Sequence, residues 1–243
     1  MLSPSGIQAI LFDLDGTLRF NRPASFDVFL DYAASLGVSD QPELRRQVTR
    51  WTHAYWAMSA ELAQDSQAFG GLNDAFWVNY AVRVLSLLGE SMECARLLAP
   101  EMHRYMKEEH RPQDYIPPDV PSTLSLLKEA GFRLGVITNR DEPCDDYLKQ
   151  VNLLPYLELS LVAGEVNAWK PDPNIFWHAL QRLGLEPAQA IYIGDNYYAD
   201  ILGARAVGIN PVLFDPDRLF PEADCPVIAN LSDLSLIIEF IRY

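Results

Sequence analysis

Ile7-Gln8-Ala9-Ile10-Leu11-Phe12-Asp13-Leu14-Asp15-Gly16-Thr17-Leu18 is the stretch on which the fold turns. Its first half, Ile7 to Phe12, is a short apolar run, and the polar cluster Asp13 to Thr17 bounds it at once. It reads as a buried strand that ends in a loop carrying chemistry. Strands this continuously apolar belong to parallel sheets covered on both faces. The same text resumes after Pro121, with strands predicted at Phe132 to Thr138, Glu158 to Ala163, Ile191 to Gly194, near Pro211 to Phe214 and at Val227 to Ala229. Helical patterns alternate with them at Ser122 to Ala130, Cys144 to Val151, Asn174 to Leu183, Ala199 to Ala206 and Leu231 to Ile241. This alternation predicts an α/β fold, a Rossmann-like doubly wound parallel sheet built from residues 1–19 and 117–243.

Between the two halves the pattern changes. From Phe20 to Ile116 apolar residues recur three or four apart among good helix formers, which predicts an inserted all-helical domain over residues 20–116. Phe26, Phe29, Leu30, Ala33 and Leu36 make one face, closed by Gly37; Leu44, Val48, Trp51, Tyr55 and Met58 make a second. After Gly70-Gly71, the residues Phe76, Tyr80, Val84 and Leu87 make a third, and Met92 to Glu109 a fourth helix with strain expected near Pro100. Trp51, Tyr55, Trp56, Phe69, Trp77 and Tyr80 stand at helical spacing, which marks core before ligand contacts. Arg45, Arg46 and Arg50 read as a solvated helix face.

Composition narrows the function. The chain is 243 residues long, 49% hydrophobic and 21% charged, which describes a packed globular protein and excludes a disordered or collagen-like one. With 33 Asp+Glu against 19 Lys+Arg, the formal charge of −14 argues against a broad surface for nucleic acid or anionic lipid. A locally positive pocket for a small anion is compatible with it. Cys94, Cys144 and Cys225 are odd in number and lack CxxC spacing, so neither a disulfide framework nor a thiolate zinc site is expected. The four histidines show no metal-ligand spacing. Without a basic leader or an apolar run of ~20 residues, the chain is expected to be a soluble, cytoplasmic protein without a membrane partner.

In open α/β sheets ligands bind beyond the carboxyl ends of the strands, so polar residues at strand tips are the informative ones. Asp13 and Asp15 follow the first strand, Thr138-Asn139-Arg140 a second and Gly194-Asp195 a third, with Lys170-Pro171 opening a helix between. Asp13 and Asp15, two apart, lean to the same side if the extended geometry persists. With Asp195, and with Asp200 in the next first turn, they form an all-oxygen set suited to a hard cation such as Mg²⁺. The Thr138 hydroxyl and the Lys170 ammonium suit phosphate oxygens, and Asn139 and Arg140 are further candidate substrate contacts. Metal, lysine and carboxylate together make a phosphoryl-transfer inventory.

Asp13-Leu14-Asp15-Gly16-Thr17-Leu18, Thr138-Asn139, Lys170-Pro171 and Gly194-Asp195-Asn196-Tyr197-Tyr198-Ala199-Asp200 resemble the four ordered motifs of the haloacid dehalogenase-like hydrolase superfamily. The match spans nearly the whole chain, and the helical insertion after the first motif resembles the cap of the phosphatase and phosphomutase branch. The resemblance implies a Mg²⁺-dependent phosphatase acting on a small phosphorylated metabolite. Asp13 would attack phosphorus, and Asp15 would act as acid and base while its backbone carbonyl joins Asp13 and Asp195 around Mg²⁺. Thr138 and Lys170 would hold the phosphoryl group. The cap would close as a lid, with hinges near Arg19 to Pro23 and Arg111 to Pro118. Arg19-Phe20-Asn21-Arg22-Pro23 departs from the small or acidic stretch that many capped members carry there. A sugar phosphomutase shares this core, whereas the superfamily's dehalogenases lack the second acid of the Asp-x-Asp pair. A non-catalytic binding module predicts lost motif residues, and none of the principal ones is lost.

Overall fold

The computed structural model describes residues 6–234. The chain divides into two compact units, Met1–Phe20 with Ile116–Tyr243 and Asn21–Tyr115. Strand β1 (Ala9–Phe12) opens the first, and a turn leads to β2 (Phe20–Arg22). The helical unit then runs through α1 (Ser25–Ser35), α2 (Pro42–Trp56), α3 (Ala60–Phe69), α4 (Asp74–Leu87) and α5 (Met92–Glu108). It leaves by β3 (Gln113–Tyr115), which pairs with β2.

Side-chain caps set several of these helix starts: Ser59, Asn73 and Ser91 accept from the backbone N–H groups of Leu62, Phe76 and Cys94. The unit's core gathers Phe29, Val48, Tyr55, Phe76, Tyr80, Val84 and Met102. Helix α3 is absent from the sequence reading because its stripe is not apolar; its buried residue is Asp65. At Pro100 the helix loses one backbone donor yet runs on to Glu108, so the expected strain does not break it. Arg45 is no bare solvated residue, since it forms ion pairs with Asp31 and Asp40.

The chain returns through α6 (Asp119–Glu129), β4 (Arg133–Thr138), α7 (Asp145–Gln150), β5 (Leu159–Val162), a short α8 (Ala163–Val166) and α9 (Pro173–Leu183). Then come β6 (Ala190–Gly194), a π-turn at Tyr197–Ile201 running into α10 (Leu202–Ala206), β7 (Asn210–Phe214) and β8 (Val227–Ile228). The six strands form one parallel sheet in the order β5-β4-β1-β6-β7-β8. The helix read over Leu231 to Ile241 begins as a 3-10 turn at Leu231–Asp233, and its later part lies outside the described residues.

Strand periodicity explains why these runs are apolar throughout. Ile10 and Phe12, Leu134 and Val136, Ile191 and Ile193 pack on one face of the sheet. Ala9 and Leu11, Ile137, Ala190 and Tyr192 pack on the other with Ile175, Phe176 and Leu180 of α9. Each fully buried Leu, Ile or Phe contributes roughly 1.5–3 kcal/mol. The sheet is therefore a stiff platform for its carboxyl ends. The chain builds outward from β1 to β4 and β5, then crosses back to place β6 on β1's other side. The order reverses at β1, which is where a ligand crevice forms in such sheets.

Candidate active site

Asp13 is the first residue past β1, and its N–H still donates to Ile193 O at 2.8 Å. It shares the parity of Ala9 and Leu11, so its side chain turns to the face that carries Tyr192 and α9. There Lys170 donates to Asp13 Oδ1 at 2.5 Å, to Asp200 Oδ1 at 2.7 Å and to the Tyr192 hydroxyl at 2.9 Å. Lys170 is only 3% exposed and Asp200 1%. Asn139, just beyond β4, braces the lysine's backbone from both sides. Its Nδ2 donates to Lys170 O at 3.0 Å and its Oδ1 accepts from Lys170 N at 2.7 Å. The Asn139 side chain is therefore engaged with Lys170 itself. Thr138 is buried at the tip of β4.

Asp200 reaches inward because the chain leaves β6 through the wider π-turn. Asn196 accepts from the N–H groups of Tyr198 and Ala199, and its own N–H donates to Asp200 Oδ2 at 2.9 Å. Glycine is required at 194, since a Cβ there would collide with the Asp200 carboxylate. Gly16 brings the first loop as close to Asp195: its φ is +102°, and a Cβ would sit 2.6 Å from the Asp195 carboxyl. Thr17 donates its hydroxyl to Asp195 Oδ1 at 3.3 Å.

Asp15 departs from this group. Extended geometry ends with β1, and the loop folds back through Arg19 N–H to Leu14 O at 2.8 Å, so the two carboxylates of the Asp-x-Asp pair part. Asp13 faces Lys170, whereas Asp15 meets Arg140, whose Nε and Nη2 donate to its two oxygens at 2.8 Å each. Arg19 adds a contact at 3.3 Å. The Arg140 guanidinium lies 4.6 Å from the centre of the Tyr147 ring.

Carboxylate oxygens of Asp13, Asp195 and Asp200 lie within 4.8 Å of one another. Three carboxylates gather about one ammonium, and the surplus of negative charge shows in the acidities of Asp13 and Asp195. Burial first, then Asp200 and Asp15, push the Asp13 carboxyl up to about 7 against the pull of Lys170. Burial and the charges of Asp13 and Asp200 hold Asp195 well above its ordinary value. Burial would lower Lys170, yet Asp13 and Asp200 keep it well above the usual lysine value. A largely buried, oxygen-only set with more negative charge than the one ammonium offsets fits a hard divalent cation.

Of the residues expected at the site, Asp13, Lys170, Asp195 and Asp200 come together here, with Asn139 on the Lys170 backbone and Asp15 and Arg140 as a separate ion pair. Sequence reasoning missed Tyr192 and Thr17. The signal for Tyr192 was present: a hydroxyl within the otherwise apolar run Ala190-Ile191-Tyr192-Ile193.

Comparison with known proteins agrees with this architecture. The sequence profile described as haloacid dehalogenase-like hydrolase matches residues 7–208. A ribulose-1,5-bisphosphate 5-phosphatase of Halopiger xanaduensis is 30% identical, over 86% of this chain and 85% of that protein. Among solved structures, a 2-haloacid dehalogenase from Pseudomonas syringae is 28% identical with a TM-score of 0.56, covering 96% of this chain and 99% of the other. A HAD phosphatase from Thermococcus onnurineus is 26% identical, also with a TM-score of 0.56, covering 96% and 98%.

Proposed function

We propose that this chain, which belongs to the haloacid dehalogenase-like hydrolases, is a phosphatase that hydrolyses a small phosphorylated metabolite with the help of Mg²⁺. The observation that carries the reading is the uncompensated carboxylate cluster of Asp13, Asp195 and Asp200 around the single ammonium of Lys170. Asp13, Asp195 and the backbone of Asp15 would hold the cation, with Asp200 in support. When bound, Mg²⁺ supplies charge neutralisation for phosphoryl oxygens and keeps Asp13 ionised.

An Asp13 oxygen attacks phosphorus in line, forming an acyl phosphate as the bond to the leaving oxygen breaks. Asp15, protonated once Arg140 turns from it to the substrate anion, gives that proton to the leaving oxygen. It then takes a proton from the water that attacks the same phosphorus, which frees Asp13 and inorganic phosphate. Lys170 fixes Asp13 before attack. Thr138, at the tip of β4, offers a hydroxyl to the phosphoryl group. Arg140 orients Asp15 and, partly exposed, is available to a substrate anion. The helical unit, over residues 20–116, serves as the cap that selects the substrate and excludes water.

A second reading, carbon–halogen hydrolysis, follows from the likeness to the Pseudomonas dehalogenase. Asp15 with its arginine pair and the cation-fitting cluster both favour phosphoryl transfer. The test is hydrolysis of p-nitrophenyl phosphate with Mg²⁺, with EDTA and with Asp13→Asn. Turnover that needs both the metal and Asp13 is expected. Halide release that survives EDTA would overturn the reading.

A further inference from the structure

We propose that Tyr192 is a positioning residue for this reaction, its hydroxyl setting the direction of the Lys170 ammonium between Asp13 and Asp200. The kinetic part of this inference rests on the phosphatase reading; the geometric part does not.

A lysine ammonium has three N–H donors and no acceptor. All three find partners here: Asp13 Oδ1 at 2.5 Å, Asp200 Oδ1 at 2.7 Å and the Tyr192 oxygen at 2.9 Å. Because lysine only donates, the tyrosine oxygen must accept, and its own proton goes to Ile137 O at 3.0 Å in preference to Asp200 Oδ1 at 3.3 Å. The hydroxyl thus ties β6 to the residue before Thr138 on β4, spanning β1, whose next residue is Asp13. The ring cannot swing away. It is fully buried and meets Phe176 edge-on, with centroids 5.1 Å apart. A phenol that donates its proton to Ile137 O is a neutral acceptor toward the ammonium.

Neutrality is the point of the arrangement. A third carboxylate on the ammonium would deepen the surplus of negative charge, while an apolar residue would leave one N–H without a partner in a dry site. Lysine's four-carbon stem is flexible, and its direction is set only by what it touches. With three fixed acceptors the ammonium has one orientation, and Asp13 is held in one rotamer for attack.

Tyr192→Phe deletes a single oxygen. Its kcat on p-nitrophenyl phosphate should fall about 10- to 100-fold with KM changed less than about threefold, as expected for a misplaced reactive group. Phe176→Leu, which loosens the same packing but keeps the hydroxyl, should stay within about threefold of wild type in kcat. Equal losses in the two variants, or a Tyr192→Phe kcat within twofold of wild type, would overturn the proposal. A second readout needs no turnover. In nitrogen-edited NMR of the wild type, the Lys170 ammonium should exchange slowly and show through-space contacts to the Tyr192 ring, and Tyr192→Phe should speed that exchange at least tenfold. A wild-type spectrum without those contacts, or exchange unchanged in the variant, removes the assignment even if the chain hydrolyses no phosphate ester. Failure of the wild type on phosphate esters with the NMR result intact would instead count against the phosphatase reading alone.

Discussion

Two buried carboxylate networks, one in each unit, use the same kinds of group and reach opposite states. In the helical unit Asp65 accepts from the Tyr55 hydroxyl at 2.9 Å and from Arg83 Nη2 at 2.8 Å. The one buried carboxylate has its own guanidinium, which also meets the exposed Glu61 more loosely at 3.8 Å, so the buried charge closes. Burial alone would raise Asp65, but the hydrogen bonds from Arg83 and Tyr55 outweigh it and hold the carboxyl below its usual value. At the strand tips a tyrosine and a cation again meet a carboxylate, yet the Lys170 ammonium bonds two, Asp13 and Asp200, and Asp195 lies within 4.8 Å of both. There the charge does not close, and Asp13 rises to about 7. The difference teaches that burial with good hydrogen bonds does not by itself make a functional carboxylate; an unbalanced count of charges does.

That contrast can be broken by substitution. Asp13→Asn should lower turnover of p-nitrophenyl phosphate by about 10⁴-fold or more, since the nucleophile is lost. The same change removes one surplus negative charge, so the urea unfolding midpoint in EDTA should hold or rise. A marked fall would show that Asp13 is balanced after all. Lys170→Met removes the only cation of the cluster and should cost about 3–5 kcal/mol in urea unfolding, because it leaves carboxylates buried without a partner. Asp65→Asn acts on the balanced network, where Arg83 is partly exposed and water screens the loss. It should cost roughly 1–3 kcal/mol while kcat per folded molecule stays within about twofold. Destabilisation by Asp65→Asn larger than by Lys170→Met would reverse the comparison.

Why the sheet was legible and the site only half so follows from where the information sits. The run Ile7 to Phe12 carries two opposite core faces in alternate residues, so apolarity alone marks it as a central strand, and the strand tips then locate Asp13, Thr138 and Asp195. Local text could not give the destination of Asp15, because its partner Arg140 is 125 residues away and the loop reverses just after Asp13. Helix α3 escaped because its inward residue is a charged aspartate rather than an apolar one. The π-turn that drives Asp200 inward has no hydrophobic period to announce it, so a plain helix from Ala199 was expected in its place. The motif marks Asn139 as a candidate substrate contact, and its side chain also braces Lys170, a partner that only the three-dimensional packing of β4 against the segment before α9 supplies.

The smallest effect is the one that compares the two networks most directly, because pH should move them in opposite senses. Asp65 is depressed in the folded state, so its contribution to stability is complete above the ordinary carboxyl value of about 4 and is lost as pH falls through its folded value. Asp13 is raised to about 7. Between about 4 and about 7 the folded state therefore binds more protons than the unfolded chain at this position, and stability falls as pH rises through that window. Asp195, also raised, adds in the same direction, while Lys170 stays charged throughout and adds no slope. Amide hydrogen exchange in EDTA, followed peptide by peptide and corrected for the intrinsic effect of pH, resolves the units. Protection in α3 and α4 should drop only on acidification below about pH 4, whereas protection in β1 and β6 should decline gently from about pH 4 to about pH 7. Mg²⁺ competes with the protons and should flatten the second slope without touching the first. Slopes of the same sign in both units, or a strand-tip slope indifferent to Mg²⁺, would mean that the carboxylates at the sheet are as well balanced as Asp65.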